Sequence, residues 1–316
     1  MTGWALPSRR PARVRWGFLA LGLLGLAAAA LAWQLSAPRP AFSEKDAAWL
    51  DREGNAERGR ILFTAGDCAS CHAMPGQSDR LKLGGGLALA SPFGTLRVPN
   101  ISPHPEAGIG RWRTLDLANA LISGVSPDRA HYYPGFPYTS YARMRAEDVP
   151  DLMAYLRSLP AVDHHPPPHE LPFPFTIRRL VGFWKLLFFH PRTVVDDPGR
   201  SAEWNRGRYL VEALAHCAEC HSSRNLLAGI REDTRFAGGV DPEGPGFAPN
   251  ITPTGIGHWS DEQLMELLTS GRMPDGRIVG STMNDVTINT SQLPESDRRA
   301  IIAYLRTVPP RPTPQP

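Results

Sequence analysis

The chain has 316 residues and a formal net charge of +3 at pH 7. A charge balance this slight does not favour binding to nucleic acid, and the length fits two domains plus a leader better than one small domain. Proline accounts for 32 residues. Because this is about double its usual ~5% share, the composition predicts long ordered loops rather than long helices or sheets.

The N-terminal segment, residues 1–40, has the features of a membrane anchor or a signal peptide. Four arginines, at positions 9, 10, 13 and 15, precede an apolar run from Trp16 to Leu35 that is about long enough to span a bilayer. The positive flank keeps the start of the chain in the cytoplasm and predicts export of the rest. Ala30-Leu31-Ala32 offers a cleavage site, but the run exceeds the roughly 7 to 15 apolar residues of a usual signal peptide, which favours a retained anchor.

A Cys-x-x-Cys-His motif occurs twice, as Cys68-Ala69-Ser70-Cys71-His72 and as Cys217-Ala218-Glu219-Cys220-His221. This motif is the attachment signature of a c-type haem. Within one helical turn, the two cysteines can bond the two vinyl groups of the porphyrin, while the histidine lies under the iron. A redox dithiol or a zinc site is the alternative, but neither needs the histidine that follows each pair. The sequence therefore predicts two covalent haems with His72 and His221 as proximal ligands.

The residues around the two motifs also repeat. Cys68 and Cys217 are 149 residues apart, and Ala154-Tyr155-Leu156-Arg157-Ser158-Leu159-Pro160 matches Ala303-Tyr304-Leu305-Arg306-Thr307-Val308-Pro309 at the same offset. We therefore predict one haem domain over residues 41–160 and a second over residues 201–316. The linker, residues 161–200, fits neither copy. These two copies are called the first and the second repeat.

The sequence of each repeat predicts three helices. The first runs towards the haem cysteines and contains a glycine, Gly59 or Gly207, which permits close crossing by another helix. The middle helix covers residues 114–123 or 260–270 and ends at Gly124 or Gly271, and Ser260 with Gln263 forms a capping box. The last helix ends before a proline at position 160 or 309.

The order of first helix, haem motif and last aromatic helix resembles the class I cytochrome c domain. Two further pairs of segments resemble the multihaem cytochrome c subunits of membrane-bound bacterial dehydrogenases: Pro99-Asn100-Ile101 with Pro249-Asn250-Ile251, and Gly108-Ile109-Gly110-Arg111-Trp112 with Gly255-Ile256-Gly257-His258-Trp259. The resemblance implies an all-α fold of two tandem class I cytochrome c domains behind an N-terminal transmembrane helix. Such subunits often carry three haems, whereas this chain has motifs for two.

The sixth iron ligand is expected to be a methionine in each repeat. Met144 lies in the loop before the last helix, where the family resemblance places its axial methionine, and His131 is the alternative. In the second repeat we expect Met283, which also precedes the last helix. Met153 and Met265 are expected in the core, because each lies inside a helix beside other apolar residues.

Two tryptophans and two asparagines are candidates for contact with the haem propionates. We expect Trp112 and Trp259 either to donate their indole N–H groups to propionates, helped by Asn100 and Asn250, or to pack as aromatic lids on the haem edge.

The linker contains an apolar segment, residues 175–189. As a helix it would be about 22 Å long, which is too short to span a bilayer. We expect an interdomain helix whose apolar face is buried between the two haem domains. Contact with the membrane surface or with a dehydrogenase is the alternative.

The resemblance implies a non-enzymatic electron carrier with two covalently bound haem c groups. It would take electrons from the catalytic subunit of a periplasmic or membrane dehydrogenase and pass them to a quinone, an oxidase or a soluble cytochrome of the respiratory chain. We expect it at a bacterial inner membrane, with the haem domains in the periplasm, or soluble in the periplasm after cleavage. A dihaem cytochrome c peroxidase, which needs one iron with an open position, is the alternative function.

Overall fold

The computed structural model describes residues 12–242 and 246–315, without the side chains of residues 12–15. The predicted basic cluster is outside this part of the chain, because Arg9, Arg10 and the side chains of Arg13 and Arg15 are not described. Helix α1 runs from Ala12 to Leu35. Its Trp16–Leu35 portion is the one helix of the described residues that is long and apolar enough to cross a membrane.

The first repeat is built from six helices and one hairpin. In chain order these are α2 (Ala47–Leu50), α3 (Ala56–Ala65), α4 (Cys68–His72), β1 (Ala88–Ser91), β2 (Gly94–Arg97), α5 (Thr114–Ser123), α6 (Tyr138–Tyr141) and, after a 3-10 turn at Ala146–Asp148, α7 (Val149–Ser158). The linker contributes one helix, α8 (Leu180–Phe188).

The second repeat has the same order of main elements. These are α9 (Ala202–Tyr209), which continues as a π-helix (Leu210–Leu214), a 3-10 helix (Cys217–Glu219) at the second motif, another 3-10 turn (Glu232–Thr234), β3 (Gly239–Val240), β4 (Phe247–Ala248), α10 (Pro253–Ile256), α11 (Asp261–Ser270), α12 (Thr282–Thr290) and α13 (Glu295–Leu305).

The predicted ends of the middle helices are confirmed. Helix α5 ends at Gly124 with φ 58°, and α11 ends at Gly271 with φ 72°, the left-handed conformation in which glycine avoids a Cβ clash. The capping box at the start of α11 is also present, since the Ser260 hydroxyl accepts from the Gln263 amide and the Gln263 side chain accepts from the Ser260 amide.

The predicted close crossing of the first and last helices is confirmed in both repeats. A Cβ placed on Gly59 would lie 2.0 Å from the Asp151 carbonyl oxygen of α7, and one on Gly207 would lie 1.8 Å from the Ala300 carbonyl oxygen of α13. An aromatic ring of the last helix fills the space beside each crossing. Tyr155 meets Phe63 with ring centroids 5.2 Å apart, and Tyr304 meets Trp204 at 5.3 Å.

The all-α prediction needs a correction, because the described residues also form two short antiparallel hairpins. Strand β1 pairs with β2 in the register Ala88↔Arg97, and β3 pairs with β4 in the register Gly239↔Ala248. Strands of four and two residues are too short to show an alternation of apolar and polar residues that could be told from a loop. The fold is otherwise helical, as expected.

The expected burial of the linker helix between the two repeats is wrong. Only Leu180–Phe188 is helical, and this helix does touch both repeats. However, Leu186 and Leu187 remain 49% and 60% exposed. The repeats instead pack directly against each other, with α6 against the π-helical turn of the second repeat and α12 against α3 and α4 of the first.

Candidate haem sites

The first haem motif forms the short helix α4, which brings its two cysteines and its histidine to one side. Asp67 adopts the left-handed conformation with φ 55° and so turns the chain sharply between α3 and α4. At the second motif, His216 makes the equivalent turn with φ 39°. The two motifs therefore start from the same backbone geometry, although a different residue type stands at the turn.

The chemistry of the cysteines does not fit a redox dithiol or a zinc site. None of the four cysteines, all of which lie in described parts of the chain, forms a disulfide. Burial raises the pKa of the Cys68 thiol and of the Cys217 thiol to about 12. Thiol exchange needs the thiolate, which such a pKa disfavours, and the described residues contain no group of three or more His, Cys, Asp or Glu side chains that could hold a zinc ion.

The two motif histidines are prepared for an iron by backbone carbonyls. The Nδ1 atom of His72 lies 2.8 Å from the Pro99 carbonyl oxygen, and that of His221 lies 2.7 Å from the Pro249 carbonyl oxygen. A carbonyl can only accept, so the proton is on Nδ1 and the lone pair of Nε2 remains available to a metal. Burial lowers the pKa of both imidazoles, that of His72 to about 4, which keeps them neutral. Both residues fit the role of proximal haem ligand.

Asn100 and Asn250 require a correction, because the structure uses both amide hydrogens of each one elsewhere. The Asn100 amide nitrogen donates to the carbonyl oxygens of Val162 and His164, at 2.8 and 2.9 Å. The Asn250 amide nitrogen donates to the Arg311 carbonyl oxygen and to a threonine hydroxyl that follows it. Each asparagine thus fastens the chain that leaves the last helix, and a bond to a propionate would break one of these contacts.

Trp112 and Trp259 are half-buried beside the core, and neither of the predicted roles is excluded by their positions. Within the described ranges, no protein acceptor binds the indole nitrogen of either tryptophan. Their carbonyl oxygens do have equivalent partners, since each accepts a hydrogen bond from an arginine at the C-terminal end of the last helix, Arg157 or Arg306. The indole N–H groups thus remain available to a propionate, which stays a prediction.

The two candidate methionine ligands do not stand at equivalent positions of the repeat. Met144 is 1% exposed, and its amide donates to the Tyr141 carbonyl oxygen. At the offset of 149 residues its counterpart is Leu293, whose amide donates to Thr290 in the same way. Met283 is half-buried at the start of α12. The two ligand assignments therefore stand independently of each other.

The alternative ligand of the first repeat, His131, already has a structural partner. The residue is 3% exposed, and its Nε2 atom donates to the Ser36 carbonyl oxygen at 2.9 Å. This contact ties the loop of the first repeat to the chain just after α1. It leaves His131 poorly placed to serve as an iron ligand.

The two haem motifs meet where the repeats pack together, which was not predicted from the sequence. The Tyr141 hydroxyl donates to the Gly66 carbonyl oxygen at 2.7 Å, and the Tyr141 ring meets the His216 ring edge-on with centroids 5.8 Å apart. Gly66 and His216 lie within two residues of the first cysteine of their motifs. One side chain therefore contacts the residues that lead into both motifs.

Polar side chains strengthen this contact from the side of the first motif. Asn289 of α12 donates to the Asp67 carboxylate and, at 3.0 Å, to the Ser70 hydroxyl inside the first motif. Burial raises the pKa of Asp67, while the nearby His216 favours its charged form. Asp67 and His216 occupy equivalent positions of the repeat, and this opposed pair is the sequence signal that could have indicated the contact.

A buried glutamate makes the matching contact from the second motif. Glu219 is 9% exposed and accepts from the Thr139 hydroxyl at 2.6 Å and from the Ser140 hydroxyl at 3.0 Å, both in the first repeat. The Arg224 guanidinium forms an ion pair with the other carboxylate oxygen of Glu219, at an N–O distance of 2.7 Å. In each motif, a residue between the two cysteines, Ser70 or Glu219, thus binds the opposite repeat.

Fold and site together define a c-type cytochrome. A family model described as cytochrome c matches residues 56–160, which lie within the first repeat. A dihaem c-type cytochrome of Cereibacter sphaeroides is 50% identical over 292 residues, which cover 92% of this chain and 96% of that protein. The chain belongs to the cytochrome c family, and it binds two covalently attached haem c groups.

Further relatives are subunits of dehydrogenases. The fructose dehydrogenase cytochrome subunit of Gluconobacter japonicus is 40% identical over 257 residues, which cover 80% of this chain and 52% of that subunit. The gluconate 2-dehydrogenase cytochrome c subunit of Pantoea cypripedii is 31% identical over 281 residues, which cover 83% and 62% respectively. The chain thus spans nearly all of the Cereibacter protein but only about half of the fructose dehydrogenase subunit.

Proposed function

We propose that this chain is the electron-transfer subunit of a membrane-bound dehydrogenase. It would receive electrons from a separate catalytic subunit and pass them through its two haems to the respiratory chain, with a quinone, an oxidase or a soluble cytochrome as acceptor. The names of the fructose and gluconate dehydrogenase subunits support this role. The repeats would be two tandem class I cytochrome c domains, over residues 41–160 and 201–316.

The observation that carries the proposal is the contact between the two haem motifs. Tyr141 contacts the residues leading into both motifs. Asn289 of the second repeat binds Ser70 in the first motif, and Glu219 in the second motif binds the first repeat. Outer-sphere electron transfer slows steeply with distance, so a relay needs its two haems held close and in a fixed orientation. Hydrogen-bonded contacts between buried side chains supply such fixed positioning.

The proposed axial ligands favour a relay over an enzyme. With His72 and Met144 holding one iron and His221 and Met283 holding the other, neither haem would offer a position for substrate. A dihaem peroxidase needs one open or displaceable position. The relatives reported above include subunits that serve dehydrogenases, so the peroxidase alternative is not favoured.

The proposed location is a bacterial inner membrane, with α1 as a single anchor and both repeats in the periplasm. Trp16 and Trp33, both exposed, lie about 25 Å apart along α1. Tryptophans near the two ends of an apolar helix are typical of residues at the two membrane–water interfaces. A soluble periplasmic form after cleavage near Ala30-Leu31-Ala32 is the alternative.

Purification of the full-length holoprotein from detergent-solubilised membranes tests this function. We expect a catalytic dehydrogenase subunit to co-purify, and the haem α-bands of the complex to become reduced when the substrate of that subunit is added. The matched control replaces both Cys217 and Cys220 by alanine, which removes the second haem and should interrupt electron delivery to the acceptor. Full turnover by this control, or a holoprotein that reduces hydrogen peroxide by itself, would contradict the proposal.

A further inference from the structure

Helix α8 buries its one charged residue together with Val181 and Gly182, and it leaves four large apolar side chains exposed. Leu180, Phe183, Leu186 and Leu187 follow the spacing of one helical face and are 37–60% exposed. This set is called the α8 face. The opposite side carries Lys185, which is only 9% exposed. A surface helix in water has the reverse arrangement, so the α8 face indicates a non-aqueous neighbour.

The buried side of α8 is fixed to the first repeat. The Lys185 ammonium donates to the carbonyl oxygens of Ser123 and Gly124 at 2.7 and 2.8 Å, at the C-terminal end of α5. It also lies 4.5 Å from the centre of the Tyr138 ring. A cation at a helix C-terminus satisfies open carbonyl groups and the helix dipole. These contacts hold α8 in one rotation, with the leucines outward.

The N-terminal half of α8 is bound to the end of α1. Arg179 donates to the Trp33 carbonyl oxygen and, at 3.0 Å, to the Ser36 hydroxyl, and its guanidinium lies 4.0 Å from the centre of the Trp33 ring. Gly182 packs so closely on Ser36 that a Cβ would lie 2.3 Å from the Ser36 carbonyl oxygen. Because Trp33 is near the end of the apolar span, α8 begins at the depth where that span leaves the bilayer.

The second repeat continues the apolar surface. The Trp184 indole nitrogen donates to the Leu227 carbonyl oxygen at 2.8 Å, and the Phe188 ring packs on Gly229. The neighbouring Leu226 is 99% exposed. The α8 face is therefore joined to both repeats, so whatever covers it also fixes the orientation of the two haem sites.

We infer that the α8 face lies in the interfacial region of a phospholipid bilayer and forms a second membrane contact beside the α1 anchor. This inference rests on the proposed anchoring of α1. The continuity of α8 with the end of the span selects the bilayer as the occupant, because a surface at that depth meets lipid before it meets another protein. An apolar helix face of this kind is typical of helices that lie in the membrane interface. The contact would hold the two haem sites at a set height above the membrane.

Photo-crosslinking of the full-length holoprotein in vesicles tests the inference. The vesicles contain phosphatidylethanolamine, phosphatidylglycerol and a phospholipid with a diazirine in its acyl chain, and the adducts are mapped by peptide mass spectrometry. We expect adducts on α1 and on α8, with severalfold more on α8 than on the segment around Ile278, which is 51% exposed but not part of the α8 face. Leu187→Glu should lower the α8 adducts severalfold, whereas the matched variant Ile278→Glu should not change them.

The outcomes separate the two proposals. Adducts on α1 together with an α8 yield no higher than that at Ile278 would leave the anchor in place and overturn the second contact. An absence of adducts on both helices would overturn the anchor, and the inference with it. Far-ultraviolet circular dichroism of both variants that matches the wild type shows that the altered chains are folded.

Discussion

Two backbone carbonyls determine the protonation of the haem-motif histidines. The carbonyl oxygens of Pro99 and Pro249 accept from Nδ1 of His72 and His221, and the asparagine that follows each proline binds the chain beyond the last helix. In each repeat the Pro-Asn-Ile segment thus orients the haem-motif histidine and holds the chain that follows the last helix. This explains at the level of single residues why the segment occurs twice.

The methionine ligands give a prediction at the same scale. Met144→Ala and Met283→Ala should each remove one site's share of the near-infrared sulfur-to-iron band of the ferric protein, because the thioether is the source of that band. Near-infrared absorption of the purified variants measures it. The controls are matched in burial: Met153→Ala for the buried Met144 and Met265→Ala for the half-buried Met283.

The control variants separate ligand loss from simple loss of packing. Truncation of a buried methionine costs about 2–5 kcal/mol of stability through lost packing alone, whether or not it binds iron. A band that persists in Met144→Ala or in Met283→Ala would refute the assignment at that site alone, since the two methionines are not equivalent in the repeat.

At the scale of secondary structure, the crossing of the first and last helices is the feature that each repeat depends on. Alanine favours a helix over glycine by about 1 kcal/mol. At Gly59 and Gly207 a methyl group would nevertheless collide with backbone atoms about 2 Å away, so the helices would have to move apart. Overpacking of this kind costs about 1–3 kcal/mol, which exceeds the gain in helix propensity.

We therefore expect Gly59→Ala and Gly207→Ala each to lower the free energy of unfolding. Guanidinium denaturation followed by circular dichroism measures this change. The control is Gly280→Ala, at which a Cβ would meet nothing within 4 Å. A control that loses as much stability as the two variants would show that the close crossing is not the cause.

At the scale of the whole molecule, Glu219 joins the second haem motif to the first repeat. Burial opposes its charge, but Arg224 and the Thr139 hydroxyl outweigh this and hold the pKa of Glu219 below its ordinary value of 4.5. The unfolded chain then binds more protons than the folded one as the pH falls below 4.5. The stabilisation from this carboxylate is therefore fully present above pH 4.5 and is lost as the pH falls through the lowered pKa.

Glu219→Gln should accordingly cost about 1–3 kcal/mol at neutral pH, because the substitution leaves Arg224 without its ion-pair partner. The difference in unfolding free energy between variant and wild type should shrink below pH 4.5. Denaturation at neutral and acid pH measures both values, with Glu53→Gln at an exposed glutamate as control. A difference that is the same at both pH values would contradict the assigned contact.

The relay itself gives another prediction for the whole molecule. If both irons are six-coordinate, the reduced protein should bind little carbon monoxide at neutral pH and should turn over little hydrogen peroxide. Visible spectra under carbon monoxide and a peroxide assay measure these properties. Stoichiometric carbon monoxide binding at one haem, together with peroxide turnover, would favour the peroxidase alternative.

The local features of this protein could be read from the sequence because neighbouring residues determine them. The haem motifs need only a fixed spacing, and the ends of α5 and α11 need only a glycine at Gly124 and Gly271. The close crossing at Gly59 and Gly207 was also predictable, since a glycine stands at this position of the first helix in both repeats.

Only the tertiary structure decided the features that depend on partners distant in the chain. Asn100 is committed to carbonyl groups about 60 residues away, so its residue type alone could not show that its amide was unavailable. The α8 face is exposed because Lys185, on the opposite side of the helix, donates to carbonyl oxygens at the end of α5. The contact of the two haem motifs through Tyr141 and His216 likewise arises only when the repeats pack. The local sequence determines which polar and apolar groups a segment carries, whereas long-range packing determines which of those groups remain available to bind a haem, a membrane or a partner.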